Sequence, residues 1–238
     1  MSRRILIILT LGAIGGIIAL QLNPVNSTLL NLAFLGCCMA AWSGLLMFGW
    51  RWKAVRISLF AVPLLFAILF CLPAREIDRR ELRDDYLSRL MKFEGTRYYW
   101  GGENGRGIDC SGLPRRALRD ALFSYGIRHA NGGAMRSAIE NWWFDASAKA
   151  VSEGYRAYAL PLEIEGIISE MDFGDLLHGD MAITDGGAHM LAYAGEGRWI
   201  QADPGLGSVA FQHGKNDPNS WFSVPVGVYR WSVFAEEE

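Results

Sequence analysis

Apolar and polar residues divide this chain into two parts of different character. Three long apolar runs fill the first third, at about 5–22, 29–50 and 55–72. Each is near the length that crosses a bilayer as a helix, and Pro63 in the shortest run is tolerated there. From Arg75 onward, charged residues are frequent and mixed in sign. The pattern predicts a membrane anchor of three transmembrane helices over 1–73 and a folded domain over 74–238.

Within the second part, helical spacing of apolar residues comes first and short apolar runs come later. Helices are expected over 74–93 and 111–125, followed by a long, partly helical stretch over 131–169. Short strands are expected at 181–184, 189–194, 198–202, 209–212 and 224–232. A helical half followed by a strand half predicts an α+β fold, in which helices pack on an antiparallel sheet.

Basic residues in the short loops predict the orientation of the anchor. Arg3 and Arg4 precede the first run, the loop after it has no basic residue, and Arg51, Lys53 and Arg56 separate the second run from the third. Short cytoplasmic loops carry the excess of Lys and Arg. The N-terminus is therefore expected inside, and the domain is expected to face the periplasm or the external wall side of a bacterial inner membrane.

Two processing alternatives were weighed against a retained anchor. The first run resembles a signal peptide in its basic start and apolar core, but no clear small-x-small cleavage site follows it. Cys37 is a poor lipoprotein cysteine, because the residues around it are apolar. A retained multi-pass anchor remains the expectation, and a membrane-protein partner for it stays open.

Charge and histidine spacing narrow the function classes. The net charge of −2 and a pI near 6.1 leave no basic surface for nucleic acid. No two of the four histidines share a helical or strand-like ligand spacing, so no metal site is expected. Neither cofactor nor nucleic-acid partner is predicted.

One cysteine stands out from the rest. Cys37, Cys38 and Cys71 lie in the apolar runs, and Cys110 is alone outside them. Pro114 fits only in the first turn of the next helix, which places Cys110 at a loop-to-helix junction. Unpaired N–H groups at a helix N-terminus favour a thiolate, so Cys110 is a candidate nucleophile. A buried core thiol is the alternative.

A base for that thiol is available on a predicted strand. His189 starts this strand, and a loop of three residues at 195–197 would pair it with the next. That register puts Asp203 directly opposite His189 and Gln201 diagonal to it, on the same face. Either side chain could orient the imidazole. The alternatives are a solvated edge histidine and an Asp203 that only shapes a turn.

Two segments carry a resemblance to a known family. Tyr-Tyr-Trp-Gly-Gly at 98–102 and Gly-Ile-Asp-Cys-Ser-Gly-Leu at 107–113 resemble the nucleophile motif of the NlpC/P60 cell-wall cysteine peptidases. Segments resembling that family's Gly-Asp strand entry, histidine strand and third-residue strand follow in order, at 179–183, 189–195 and 199–202. The resemblance covers about 82–205, with interruptions.

The resemblance implies a papain-like NlpC/P60 domain that hydrolyses amide bonds in peptidoglycan stem peptides, near D-glutamyl or diaminopimelyl residues. It makes Cys110 the nucleophile, His189 the base and Gln201 the third polar residue. The backbone N–H of Cys110 and the hydroxyl of Tyr98 would hold the oxyanion.

Other positions follow from the same comparison of motifs. Asp109 and Ser111 match positions that shape the loop and the substrate pocket, while His129, His178 and His213 match no catalytic position. The interval between the cysteine and the histidine is longer than the family's usual one, and the surplus falls in 131–169. This insertion could cap the groove, or it could add packing or contact the membrane spans.

Two other functions remain open at this point. The same Cys–His pair could serve an amidase or acyltransferase with another acyl substrate. Alternatively, the insertion could close the groove and leave a wall-binding scaffold module.

Overall fold

The computed structural model describes residues 3–215 and 217–235 of the chain. Its helices are α1 (Arg3–Leu22), α2 (Thr28–Gly49), α3 (Lys53–Cys71), α4 (Arg79–Met91), α5 (Gly112–Arg128), α6 (Gly132–Trp143) and α7 (Ala148–Ser152). Its strands are β1 (Glu103–Asn104), β2 (Gly107–Ile108), β3 (Ala159–Ile167), β4 (Met181–Thr184), β5 (Met190–Gly195), β6 (Arg198–Asp203), β7 (Ser208–His213) and β8 (Pro225–Trp231).

Helices α1, α2 and α3 are long and apolar enough to cross a membrane. Their bounds lie within two residues of those predicted from the apolar runs. The first two helices approach closely at Gly44, where a Cβ atom would lie 2.0 Å from the Thr10 hydroxyl oxygen. A small residue at such a crossing allows the backbones to pack, as is common between membrane helices.

The domain contains a six-stranded antiparallel sheet in the order β3-β8-β4-β5-β6-β7. The five predicted strands are present, but β3 was missed because the insertion was expected to be partly helical. This edge strand contains Pro161, and its pairing with β8 is irregular between Pro161 and Glu165. Proline and irregular pairing are tolerated at a sheet edge. The alternation of Leu160, Leu162 and Ile164 was the available signal.

Alternating strand residues give the sheet two buried faces. Met190 and Ala192 belong to the core cluster shared with α4 and α5, whereas Leu191 and Tyr193 belong to a second cluster on the opposite face. Trp199 is fully buried in that second cluster. Because both faces are covered, the sheet is a rigid support for the polar side chains at its end.

Helix α6 joins the domain to the start of α2 and to the residues that follow α3. The Gly132 N–H donates to Pro73 O (3.2 Å), and the Arg136 guanidinium donates to Leu72 O (3.0 Å). At its other end, Trp142 O accepts from the Asn31 amide of α2 (3.0 Å). A Cβ on Gly132 would lie 1.9 Å from Leu72 O, so this contact requires glycine. The start of the insertion therefore contacts the apolar helices that were expected to span the membrane.

Candidate active site

Cys110 lies just before α5, at the end of a turn that Asp109 organises. One Asp109 carboxylate oxygen accepts from the Gly112 N–H (2.6 Å) and the Ser111 hydroxyl (3.1 Å). The other accepts from the Gly101 N–H (2.7 Å). Asp109 thus satisfies an otherwise unpaired donor at the helix start and ties the helix to the preceding glycine loop. The loop-shaping interpretation of Asp109 and Ser111 agrees with these contacts.

The glycine loop (residues 101–107) packs directly against the nucleophile turn. Strands β1 and β2 form a short hairpin within it. A Cβ on Gly102 would lie 2.4 Å from Gly107 O, and a Cβ on Gly112 would lie 2.2 Å from Gly102 O. Glycine is required at these two positions because the backbones themselves are in contact. This close packing fixes the backbone around Cys110.

Burial determines the protonation state of the Cys110 thiol. It raises the pKa of Cys110 to about 12, and the nearby Asp109 carboxylate acts in the same direction. The backbone N–H groups of Met190, Ser111 and Cys110 itself favour the thiolate, as predicted for a helix start, but burial outweighs them. The pKa of the folded thiol is therefore raised, whereas the backbone N–H groups at the helix start alone would lower it.

His189 is fixed by its backbone and by an aromatic neighbour. Its N–H donates to the Thr184 hydroxyl (2.9 Å), and its ring stacks on Trp221 with centroids 4.2 Å apart and planes at 15°. Only 1 % of the residue is exposed. Burial lowers the pKa of His189 to about 4, so the imidazole is neutral at neutral pH. Between the described residues, no hydrogen bond joins this ring to the Cys110 thiol.

Gln201 lies beside His189, as the predicted register required. Pairing of Ala192 with Ile200 and of Tyr193 with Trp199 confirms that register, although an irregularity at Gly195 shortens the loop. The His189 Nε2 atom lies 2.5 Å from Gln201 Oε1. Gln201 is fully buried.

A directional chain of amides fixes which way the Gln201 side chain faces. Asp217 can only accept, so the Gln212 Nε2 group must point toward it (3.0 Å). Gln212 Oε1 then accepts from Gln201 Nε2 (2.6 Å), which leaves Gln201 Oε1 facing His189. An amide oxygen cannot donate, so the His189 proton must be on Nε2. The unprotonated Nδ1 is thereby available to accept a proton.

Asp203 and Tyr98 complete the polar surroundings. Asp203 accepts from the Gly205 N–H (2.6 Å) and from the Asn219 side-chain amide, so it shapes a turn rather than contacting His189. Burial raises the pKa of Tyr98 to about 12, with further contributions from the neighbouring Cys110, Asp109 and Asp203. The structure therefore brings Tyr98 near Cys110 and brings Gln201, not Asp203, to the imidazole.

Comparison with known proteins identifies the family of the chain. Residues 95–218, more than half of the chain, match the model of the NlpC/P60 family. The chain belongs to the NlpC/P60 family. No curated protein matches it.

Solved structures are similar to the chain at low identity. NlpC1 from Trichomonas vaginalis is 19% identical with a TM-score of 0.42, over 66% of this chain and 46% of that one. The peptidoglycan hydrolase RipB from Mycobacterium tuberculosis is 19% identical with a TM-score of 0.40, over 67% and 68%. The P60 domain of an M. avium subspecies paratuberculosis antigen is 18% identical with a TM-score of 0.40, over 67% and 100%. The chain thus spans about half the length of NlpC1.

In this NlpC/P60 domain, a groove lies beside Cys110. The glycine loop and the start of α5 form one side of it, and Gly187 and Ala188 come from the turn before His189. Asp145, Ser147 and Ala148 come from the insertion. The insertion therefore both contacts the anchor and borders the groove, which combines the two alternatives weighed from the sequence.

A buried arginine holds the insertion at the groove of the NlpC/P60 domain. Arg115 of α5 is 1 % exposed and pairs with Glu103 (2.7 Å) and with Asp145. Its guanidinium also donates to Asn141 O (3.0 Å), at the end of α6. Charge pairing and backbone acceptors together satisfy this buried cation.

Two of the remaining histidines of the NlpC/P60 domain form contacts away from the groove. His129 lies 2.9 Å from Glu81, and His178 lies 3.1 Å from Asp84. His213 ends β7 opposite Arg198. The sequence alone does not single out Gln212 or Trp221. The available signal for Gln212 is that this polar side chain directly follows an apolar run.

Proposed function

We propose that this protein is a membrane-anchored cysteine peptidase that hydrolyses amide bonds in peptidoglycan stem peptides. Membership of the NlpC/P60 family supports the reaction class. The observation that carries the proposal is the buried bond between His189 and Gln201, which leaves Nδ1 of a neutral imidazole as a proton acceptor. Cys110 is then the nucleophile, His189 the base and Gln201 the positioning residue.

The protonation states favour a general-base route over a preformed ion pair. A thiol with a raised pKa and an imidazole with a lowered pKa both rest neutral. A bound peptide would bring the thiol into hydrogen-bond contact with Nδ1, since catalytic contacts tighten in the substrate complex. The proton then passes to Nδ1 as the sulfur attacks.

The reaction proceeds through a thioester. The Cys110 sulfur bonds to the peptide carbonyl carbon, and the Cys110 N–H and the Tyr98 hydroxyl donate to the oxyanion. The C–N bond breaks, and the leaving amine takes the proton from His189. Water then attacks the thioester while giving a proton to His189, and the thiol returns to Cys110 as the acid product leaves.

Loop charges support an outward-facing domain. Arg3 and Arg4 precede α1, and Arg51, Lys53 and Arg56 lie between α2 and α3 or at the start of α3. Basic residues accumulate on the cytoplasmic side. The proposed location is therefore the bacterial cytoplasmic membrane, with the domain on the periplasmic or wall side. Reporter fusions after Pro73 that are active only in the cytoplasm would contradict it.

Mass spectrometry of muropeptides incubated with the full chain in detergent tests the reaction. Cleavage of a stem peptide by the native protein, but not by Cys110→Ala, is expected. A freed amino-sugar chain would indicate an amidase, and a new acyl conjugate would indicate an acyltransferase. A folded native protein that leaves all muropeptides intact would favour the scaffold alternative.

A further inference from the structure

The loop between α1 and α2, residues 23–27, is bonded to the glycine loop beside Cys110. The Asn26 N–H donates to Gly101 O (3.1 Å), and the Glu103 N–H donates to Pro24 O (2.8 Å). Between these two bonds, Val25 forms an antiparallel bridge with Gly102. This anchor loop therefore adds a strand-like segment to the backbone that borders the groove.

Side chains reinforce this contact. The Asn104 amide donates to Asn23 O (2.7 Å), and the Asn26 amide donates to Trp142 O of α6 (3.3 Å). A Cβ on Gly107 would lie 3.2 Å from the Pro24 Cβ. The anchor loop is thus packed against the hairpin of the glycine loop and bonded to the insertion.

The sequence position of the anchor loop sets the height of the groove above the membrane. Apolar helix α2 begins at Thr28, two residues after Asn26, so the anchor loop lies at the edge of the apolar layer. Paired strands are about 5 Å apart, which places the glycine loop at headgroup level. The Asp109 N–H donates in turn to Gly102 O (3.0 Å), so the backbone next to Cys110 lies about two strand spacings, roughly 10 Å, from the anchor loop.

Aromatic side chains lie at the same level. Trp100, directly before the glycine loop, is 78% exposed, and it borders the groove. Trp142 and Trp143 end α6 beside the anchor loop, and Trp142 packs edge-on against Phe34 of α2 with ring centroids 6.3 Å apart. Tryptophan is enriched where a protein meets the headgroup region. An exposed Trp100 next to the groove fits a membrane surface better than open solvent.

We infer that the groove works at the membrane surface and takes peptides that are carried on a membrane lipid, rather than peptides of the mature wall. The inference rests on the proposed function for its reaction and on the anchor-loop contacts for its substrate class. It does not depend on which side of the membrane the domain faces. A peptide tethered to lipid is already held at the height of Cys110, whereas a free peptide must first be captured from solution.

The test uses the full chain reconstituted in phosphatidylethanolamine and phosphatidylglycerol vesicles. One muropeptide is offered free, or coupled to a lipid of the same vesicles through a Gly-Ser spacer of about 3 residues or of about 20 residues. The spacers reach about 10 Å and about 70 Å when extended. Lipid coupling with the short spacer is expected to raise the initial rate at least about 10-fold over the free peptide at equal total concentration.

Three other outcomes are possible, and each of them contradicts the inference in a different way. Cleavage of the long-spacer peptide alone would place the groove far above the membrane and overturn it. Equal cleavage of free and lipid-linked peptides would also overturn it, while leaving the proposed peptidase intact. If free, short-spacer and long-spacer peptides all stay intact, the proposed function fails, and the inference fails with it.

Discussion

The two sides of the groove are built differently. On the sheet side, His189 is held by Gln201 and Trp221, all within the domain. On the helix side, the glycine loop next to Cys110 is held partly by the anchor loop, which joins the apolar helices α1 and α2. The sheet side is a network of side-chain amides around the buried His189 and Gln201, whereas the helix side depends on a distant part of the chain.

The two sides of the groove therefore have different roles: the sheet side supports the chemical step, and the helix side sets the position of Cys110. A buried amide chain with one possible direction fixes the tautomer of the proposed base and needs nothing outside the sheet. The helix side connects the proposed nucleophile to the apolar helices α1 and α2 through backbone hydrogen bonds and the insertion. Changes on the sheet side should alter the chemical step, and changes on the helix side should alter the placement of Cys110 relative to the membrane.

Removing the thiol gives the largest expected effect. Cys110→Ala should lower muropeptide hydrolysis at least about 1,000-fold, because Cys110 is the one thiol among the described residues that line the groove. The matched control is Cys71→Ala, at the end of α3, which should retain full activity. Mass spectrometry of the products measures both, and substantial hydrolysis by Cys110→Ala would refute the proposed nucleophile.

Two substitutions of Gln201 should distinguish the effect of orienting the His189 imidazole from the effect of placing a charge beside it. Gln201→Leu should lower kcat about 100-fold, because the imidazole loses the acceptor that fixes its tautomer. Gln201→Glu keeps an acceptor and adds a negative charge, which should raise the pKa of His189.

The pH profile of kcat/KM provides the readout. The native acid limb is expected near pH 4, where His189 becomes protonated, and Gln201→Glu should move it to higher pH. An unchanged limb would show that Gln201 does not act through His189.

The sequence predicted the parts of this site that follow from local rules. Pro114 fixes the predicted helix start, and strand periodicity alone predicts Gln201 near His189. The direction of the Gln212 amide could not be predicted, because it depends on Asp217 across a loop. The anchor-loop contact joins Asn26 to Gly101 by backbone atoms, which leave no side-chain pattern in the sequence.

Replacing Gln212, the outer member of the amide chain, should have a smaller effect than replacing Gln201. Gln212→Leu removes the acceptor for Gln201 Nε2, so the Gln201 amide can turn and present its N–H to His189. We expect kcat to fall about 10-fold with KM little changed, since Gln212 acts on the reaction only through Gln201 and His189. The neighbouring Phe211→Leu, on the alternate side of β7, is the packing control. A change confined to KM would contradict a positioning role.

On the helix side, the anchor-loop bond can be removed without shortening the loop. Asn26→Pro eliminates the N–H that donates to Gly101 O, whereas Asn26→Ala keeps this N–H and loses only the side-chain bond to Trp142 O. In vesicles, the proline variant should be several-fold less active than the alanine variant. Equal activity of the two would show that the anchor loop does not support the glycine loop.

The smallest expected effect concerns stability at alkaline pH and reports on the burial of Cys110. The thiol has an ordinary pKa of 9.0 and a folded-state pKa of about 12, so between these values the folded state keeps a proton that the unfolded state has lost. Stability from this group must therefore fall as pH rises above 9. The thermal midpoint of the native protein should drop by a few degrees relative to Cys110→Ala between pH 8 and pH 10, by near-ultraviolet circular dichroism in detergent. Parallel midpoints would mean that the thiol is hydrated and that the groove is open to water at Cys110.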